Sequence, residues 1–287
     1  MPLTSRLGVC AWSLQPESLD DLLAACKRLQ LRAVQLPLKA FHRRGMLRSG
    51  WSESGALAEL RAAGIEVCSG MFATVGEDYS SLESIRATGG VRADAHWSAN
   101  ERLAAEDGAR ARRLGLNLVS FHPGFLPEDR TDPLREVMLH RLRSVIDSFS
   151  REGVDVAFET GQESAETLFA VLEDLQRPAV GVNFDPANMI LYGQGDPVAA
   201  CETLASRVKQ LHVKDAIGAE HPGQWGREVV VGSGSVDWEA LFGVLSRRGL
   251  AIDCLIEREA GDDREGDVAR AARRVGPLVA ALNEPAT

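Results

Sequence analysis

A short phrase recurs along this chain and limits what it can fold into. Ala62-Ala63-Gly64-Ile65-Glu66-Val67 returns as Arg113-Leu114-Gly115-Leu116-Asn117-Leu118, as Arg151-Glu152-Gly153-Val154-Asp155-Val156 and as Arg248-Gly249-Leu250-Ala251-Ile252. Each time a helix-like stretch stops at glycine, which takes the left-handed conformation past a helix end at little steric cost, and an apolar run follows. Leu29-Gln30-Leu31-Arg32-Ala33-Val34 repeats the phrase with Gln30 in the glycine's place. Helix starts are marked too: Asp132-Pro133 and Asp196-Pro197 set a capping carboxylate before a proline at the first helical position. Ser18-Leu19-Asp20-Asp21 resembles a capping arrangement.

The pattern predicts strands near 7–13, 32–37, 65–70, 117–122, 154–159, 180–185, 208–213 and 252–257. Helices are predicted near 18–29, 53–63, 94–114, 133–152, 164–175, 197–206, 237–248 and 265–282. Eight βα units with no linker between them predict a single (β/α)8 TIM barrel over 1–287, in the α/β class. An open doubly wound sheet is the alternative, and it lacks the glycine-rich dinucleotide loop after the first strand.

Composition narrows the function. A formal charge of −9 argues against a nucleic-acid partner, because phosphate backbones need a basic face. No stretch approaches the length of a membrane span, and the first residues carry no basic segment with a long apolar run. The five cysteines are scattered, without a CxxC pair, and read as small buried hydrophobes of a reducing compartment. The expectation is a cytoplasmic protein with no membrane contact; a homo-oligomer is compatible with the sequence but not encoded by any feature of it.

Four ligand-type residues close four successive predicted strands: Glu159, Asp185, His212 and Glu257. The first three follow one another at the length of one unit, and the longer step to Glu257 contains the glycine-bearing segment 216–235. Parallel neighbouring strands bring their C-terminal ends to one rim, where such barrels carry their active sites. A lone polar residue at a strand end is usually a helix cap or a solvated loop residue. Asp185-Pro186 reads that way by itself, and His212 alone reads as a structural histidine. Four in register point instead to one divalent ion held by oxygen and nitrogen donors.

The chain resembles the sugar phosphate isomerase/epimerase family of the xylose isomerase-like barrel superfamily over nearly its whole length. Phe158-Glu159-Thr160-Gly161-Gln162-Glu163, Asn183-Phe184-Asp185-Pro186-Ala187-Asn188, Leu211-His212-Val213-Lys214-Asp215 and Ile256-Glu257-Arg258-Glu259 carry the resemblance. It implies that Glu159, Asp185, His212 and Glu257 bind the metal, manganese first, with magnesium, zinc or cobalt as alternatives. It also implies that Glu159 and Glu257 are the acid/base pair. The chemistry is coherent: proton transfer next to a carbonyl forms an enediolate, whose charge a divalent ion offsets while carboxylates remove and return the proton.

Two departures withhold the substrate. Many ketose 3-epimerases of the superfamily have a histidine where Asn188 stands, and an arginine shortly after the strand-seven histidine, where this chain has Lys214 and Asp215. The leading expectation is a metal-dependent isomerase or epimerase of a carbohydrate or its phosphate. A dehydratase or lyase of inosose-like or oxidised glycoside substrates is the runner-up. A catalytically inactive barrel serving as a binding subunit is the reading from another class.

Further rim residues are weighed against blander roles. His122, Asn188 and Lys214 are candidate substrate contacts, with a capped loop histidine and a salt bridge of Lys214 to Asp215 or another carboxylate as the plainer alternatives. Lys39, His42, Arg43, Arg44 and Arg48 form a solvated basic loop or a phosphate clamp. Gly232-Ser233-Gly234-Ser235 offers backbone N–H groups to an anion, or merely enters a helix. The segment 72–93 is long for a connector and is expected to form a partial lid. Trp12, Phe72, Phe125 and Trp225 are expected to add apolar walls.

Overall fold

A computed structural model describes residues 4–41, 52–221 and 223–284. Eight parallel strands close into a barrel: β1 (Leu7–Cys10), β2 (Ala33–Pro37), β3 (Glu66–Met71), β4 (Leu118–Phe121), β5 (Asp155–Glu159), β6 (Gly181–Phe184), β7 (Val208–Val213) and, after two short strands, β10 (Asp253–Ile256). The order around the barrel is β1-β10-β7-β6-β5-β4-β3-β2, so every strand neighbours its predecessor and closure falls between β1 and β10. The expected (β/α)8 architecture is the observed one.

The connecting helices are α1 (Leu19–Leu29), α2 (Glu53–Ala62), α4 (Asp94–Arg113), α5 (Pro133–Ser150), α6 (Ala165–Leu175), α8 (Pro197–Leu204), α9 (Trp238–Arg247) and α10 (Arg264–Ala281). Their ends follow the local chemistry. Ser18, Asp132 and Asp196 each accept a backbone N–H of the first turn. Gly64, Gly115, Gly153 and Gly249 have φ between 62° and 74°, and Gln30 takes the same left-handed turn at φ 57°.

Three features depart from the expected string. The first strand ends at Cys10, where Ala11–Leu14 wind into a 3-10 turn. Two short helices were not foreseen: α3 (Leu82–Thr88), inside the expected lid, and α7 (Pro186–Tyr192), begun by Asp185-Pro186. The segment after β7 is a hairpin of β8 (Asp215–Ile217) and β9 (Arg227–Val229), antiparallel to each other and separate from the barrel.

The apolar core lies between barrel and helices. Phe121 on β4 meets Phe158 on β5 and Phe72 beyond β3, and Phe72 in turn meets Phe149 on α5, all edge to face. Such contacts are the usual aromatic geometry of a dense core. The upper barrel interior is polar instead: Gln35, Ser69, Ser120, Asn183 and Gln210 are essentially inaccessible to solvent. All five described cysteines are free. Among the described residues no helix is long and apolar enough to cross a membrane.

Candidate metal centre

The ends of β5, β6, β7 and β10 converge as the sequence pattern predicts. Glu159, Asp185, His212 and Glu257 each offer one donor atom, and these atoms lie within 4.8 Å of one another. All four residues are at most 3% exposed. His212 Nδ1 is 3.4 Å from Glu159 Oε1, 3.4 Å from Glu257 Oε2 and 3.9 Å from Asp185 Oδ2.

Two atoms of this cluster have no hydrogen-bond partner among the described residues: His212 Nδ1 and Asp185 Oδ2. Leaving buried polar atoms unsatisfied costs about 1–3 kcal/mol each. A divalent cation satisfies both, and an imidazole nitrogen with carboxylate oxygens suits such an ion. The donor set therefore fits a metal. Asp185 also shows why its plainer reading had force. Its Oδ1 accepts the Asn188 N–H at 2.9 Å and caps α7, while Oδ2 faces the other three residues.

The electrostatics divide the carboxylates. Burial pushes Glu159 up, but His122 and His212 outweigh it, and its pKa lies below the ordinary value. Burial is likewise overcome at Glu257, chiefly by Lys214 and then His212, which hold it well below the carboxylate range. Asp185 goes the other way: burial, reinforced by Glu257 and Glu159, raises it well above its usual value despite Lys214. Burial opposes an imidazolium at His212, yet Cys10, Glu159 and Glu257 more than offset it and raise its pKa well above normal. At Asp185 and His212 a cation would therefore compete with protons.

The second layer is now visible. Lys214, 3% exposed, reaches Glu257 Oε2 at 3.0 Å, Glu259 Oε2 at 2.6 Å and Asn188 Oδ1 at 3.3 Å. The expected salt bridge of Lys214 thus forms with Glu257 and Glu259 rather than with Asp215, because adjacent strand residues point to opposite faces. Asn188 donates to Glu159 Oε1 at 3.0 Å, so its amide bridges Glu159 and Lys214. His122 Nε2 stands 3.4 Å from Glu159 Oε1, and its Nδ1 is unpartnered among the described residues. Trp12 Nε1 donates to Glu257 Oε1 at 3.0 Å.

The mouth is a cavity of about 230 Å³ whose walls include Trp12, Lys39, Phe72, Tyr79, His122 and Glu257. Segment 72–93 does supply one of its sides, through Phe72 and Tyr79. Phe125 and Trp225 both pack against Tyr192, with ring centroids 5.6 and 5.0 Å away. Of the basic loop, Lys39 lines the mouth, whereas His42, Arg43, Arg44 and Arg48 lie outside the described residues.

Gly232 and Gly234 do give their N–H groups to an anion, but to an internal one. Asp215 accepts from Gly232, Gly234, Ala216 and Val236 backbone N–H groups and from Trp238 Nε1, at 2.8–3.3 Å. This clasp closes the hairpin onto the barrel. From the hairpin, Glu228 accepts from Arg258 and from the Glu259 N–H, which sets the carboxylate that meets Lys214. Sequence reasoning missed Asp215 and the polar interior. The available signal was parity, since Asn183 and Gln210 precede Asp185 and His212 by two residues and share their face. It also gave no role to Glu163, which is buried with both oxygens unpartnered among the described residues.

The family described as a xylose isomerase-like TIM barrel matches residues 23–276. The chain belongs to this family. A solved xylose isomerase domain protein from Planctomyces limnophilus is 30% identical, covering 98% of this chain and 99% of that one, with a TM-score of 0.85. The IolI protein, solved with a bound zinc atom, shares the barrel at 13% identity, 96% and 99% coverage and a TM-score of 0.73. The 3-oxo-isoapionate decarboxylase of Pectobacterium atrosepticum is 28% identical over 129 residues, 44% of this chain and 46% of that protein. The chain spans less than half the length of the curated relatives it matches. Within the xylose isomerase-like family, then, the quartet stands at the barrel rim where this fold concentrates its chemistry.

Proposed function

We propose that this chain is a divalent-metal-dependent isomerase or epimerase of a carbohydrate or carbohydrate phosphate. The observation that carries the reading is the arrangement of Glu159 and Glu257, two buried glutamates each 3.4 Å from His212 Nδ1, with pKa values lowered by that histidine together with His122 at Glu159 and Lys214 at Glu257. Glu159, Asp185, His212 and Glu257 are the proposed ligands of the ion, manganese first and magnesium, zinc or cobalt as alternatives. When bound, such an ion supplies positive charge to the negative charge that develops on adjacent substrate oxygens.

The residues of the chain do the rest. Glu159 removes the proton next to the carbonyl, and His122 orients the substrate oxygen beside it. Glu257, once it has taken a proton from solvent, returns it from the other side while Glu159 keeps the one it removed, and Lys214, 3.0 Å from Glu257 Oε2, holds that carboxylate in place. Asn188 fixes Glu159 and Lys214 relative to each other, and Trp12 fixes the second oxygen of Glu257. The Phe72–Tyr79 side of the mouth excludes water.

Lys214 also favours a second reading. A lyase needs charge stabilisation at a departing oxygen, and the buried ammonium of Lys214, beside Glu257, offers positive charge to a leaving hydroxyl or glycosidic oxygen. The similarity to a protein named as a decarboxylase supports lyase chemistry. The test is incubation of the manganese-loaded protein in deuterated water with a panel of ketoses, inososes and their phosphates. Deuterium in products of unchanged skeleton supports the first reading, and loss of water, an aglycone or carbon dioxide supports the second. Glu159→Gln and Glu257→Gln are each expected to slow exchange by about 10²–10⁴-fold. Full activity in either variant refutes the acid/base roles, and binding without exchange or loss makes the barrel a binding subunit.

A further inference from the structure

The polar interior of the barrel has a direction. With Nδ1 of His212 given to an ion, Nε2 must carry the ring hydrogen and needs an acceptor. Two carboxamides stand next to it: Gln35 Oε1 at 2.8 Å and Asn183 Nδ2 at 3.0 Å. The orientation of the Gln35 amide is fixed from outside. Its Nε2 donates to the Gly70 carbonyl at 3.3 Å and to Ser120 Oγ at 2.8 Å, and a carbonyl can only accept. The Gln35 oxygen is thereby the atom turned to His212.

Asn183 is oriented by a separate chain. Ser69 Oγ donates to Gln210 Oε1 at 2.6 Å, and Gln210 Nε2 donates to Asn183 Oδ1 at 3.1 Å. Asn183 Nδ2 is then left facing Glu159 Oε2, its acceptor at 3.2 Å. Asn183 therefore serves the glutamate, and Gln35 is the acceptor for the histidine.

We propose that Gln35, on β2 across the barrel from β7, is the positioning residue that sets His212 as an Nδ1 metal donor, held in turn by Gly70 and Ser120. This rests on the metal-centre reading above and adds which ring nitrogen binds and which residue decides it. Hydrogen-bond partners of metal-bound histidines fix tautomer and ring orientation, and their loss typically weakens metal binding about 10–100-fold. A leucine has nearly the volume of glutamine and no acceptor.

The test loads full-length, ¹⁵N-histidine-labelled protein with ¹¹³Cd²⁺ and reads the cadmium–nitrogen coupling, alongside cadmium affinity by chelator competition. In the wild type the coupling is expected through Nδ1 of His212, with a slowly exchanging hydrogen on Nε2. Gln35→Leu is expected to bind about 10–100-fold more weakly and to expose the Nε2 hydrogen to fast exchange. Ser120→Ala keeps Gln35 but loosens its amide, and is expected to shift both readouts the same way by less. It carries the test should Gln35→Leu fail to fold. Coupling through Nε2, or variants that match the wild type in affinity and exchange, overturns the inference and leaves the metal site standing. A wild type that binds no cadmium overturns both.

Discussion

Asp185, just after β6, and Asp215, at the start of β8, are equally buried aspartates, and they could hardly differ more in what surrounds them. Asp215 accepts four backbone N–H groups and an indole N–H, so its hydrogen bonds are supplied by the fold itself. Asp185 spends one oxygen on a helix cap and leaves the other without a partner among two glutamates and a histidine. A carboxylate whose hydrogen bonds are complete holds structure together. One that is buried and incomplete is free to meet a ligand or to hold a proton. Glu163 is a third case, buried with neither oxygen paired, and burial raises its pKa to about 8.

The comparison can be broken most severely at Asp215. Asp215→Ala strands several buried donors, and a loss of about 3–5 kcal/mol is expected from removing one partner of such a network. Thermal or urea unfolding reads it, and a loss under about 1 kcal/mol would remove the distinction between the two aspartates. Glu163→Gln should act in the opposite sense. The unfolded glutamate ionises near 4.5 and the folded one near 8, so the folded state binds the proton more tightly between those values. The wild type thus keeps this contribution below about pH 4.5 and loses it as pH rises toward 8, at about 1.4 kcal/mol per pH unit. Gln cannot ionise, so the variant should gain on the wild type by about 3–4 kcal/mol near pH 7.5 and by nothing at pH 4. A gap that does not change with pH contradicts the buried-acid account.

Asp185→Asn should leave the melting temperature of the metal-free protein unchanged or higher, since it removes a desolvated acid. Its cost appears in manganese affinity, expected to fall at least about 100-fold, more than for the loss of an outer partner. The smallest effect concerns protons. The raised pKa values of Asp185 and His212 mean that an ion displaces bound protons, so manganese titration in weak buffer should acidify the solution, and affinity should rise with pH. Metal binding without proton release would mean that these two groups are already bare.

Much of the fold was legible because its signals are local. A glycine past a helix end or an aspartate before proline acts within one turn, and even Gln30 revealed the turn its position demands. The rim quartet was legible because strand-end position and residue type suffice to bring those four together. What escaped depends on partners remote in sequence: Ser69 with Gln210, Gln35 with Ser120, and Asp215 with the glycines beyond the hairpin. The sequence marks Asn188 and Lys214 as candidate substrate contacts, and only the fold shows that each is engaged with a glutamate of the centre.

The central claim is that the unpartnered atoms of Asp185 and His212 exist for a divalent ion. Elemental analysis of the protein, purified from manganese-replete medium without chelator, tests it most directly. The account predicts one ion per chain in the wild type and none retained by a protein carrying both Asp185→Asn and His212→Gln. An ion-free wild type that also fails to take up manganese, zinc or cobalt on titration would contradict it.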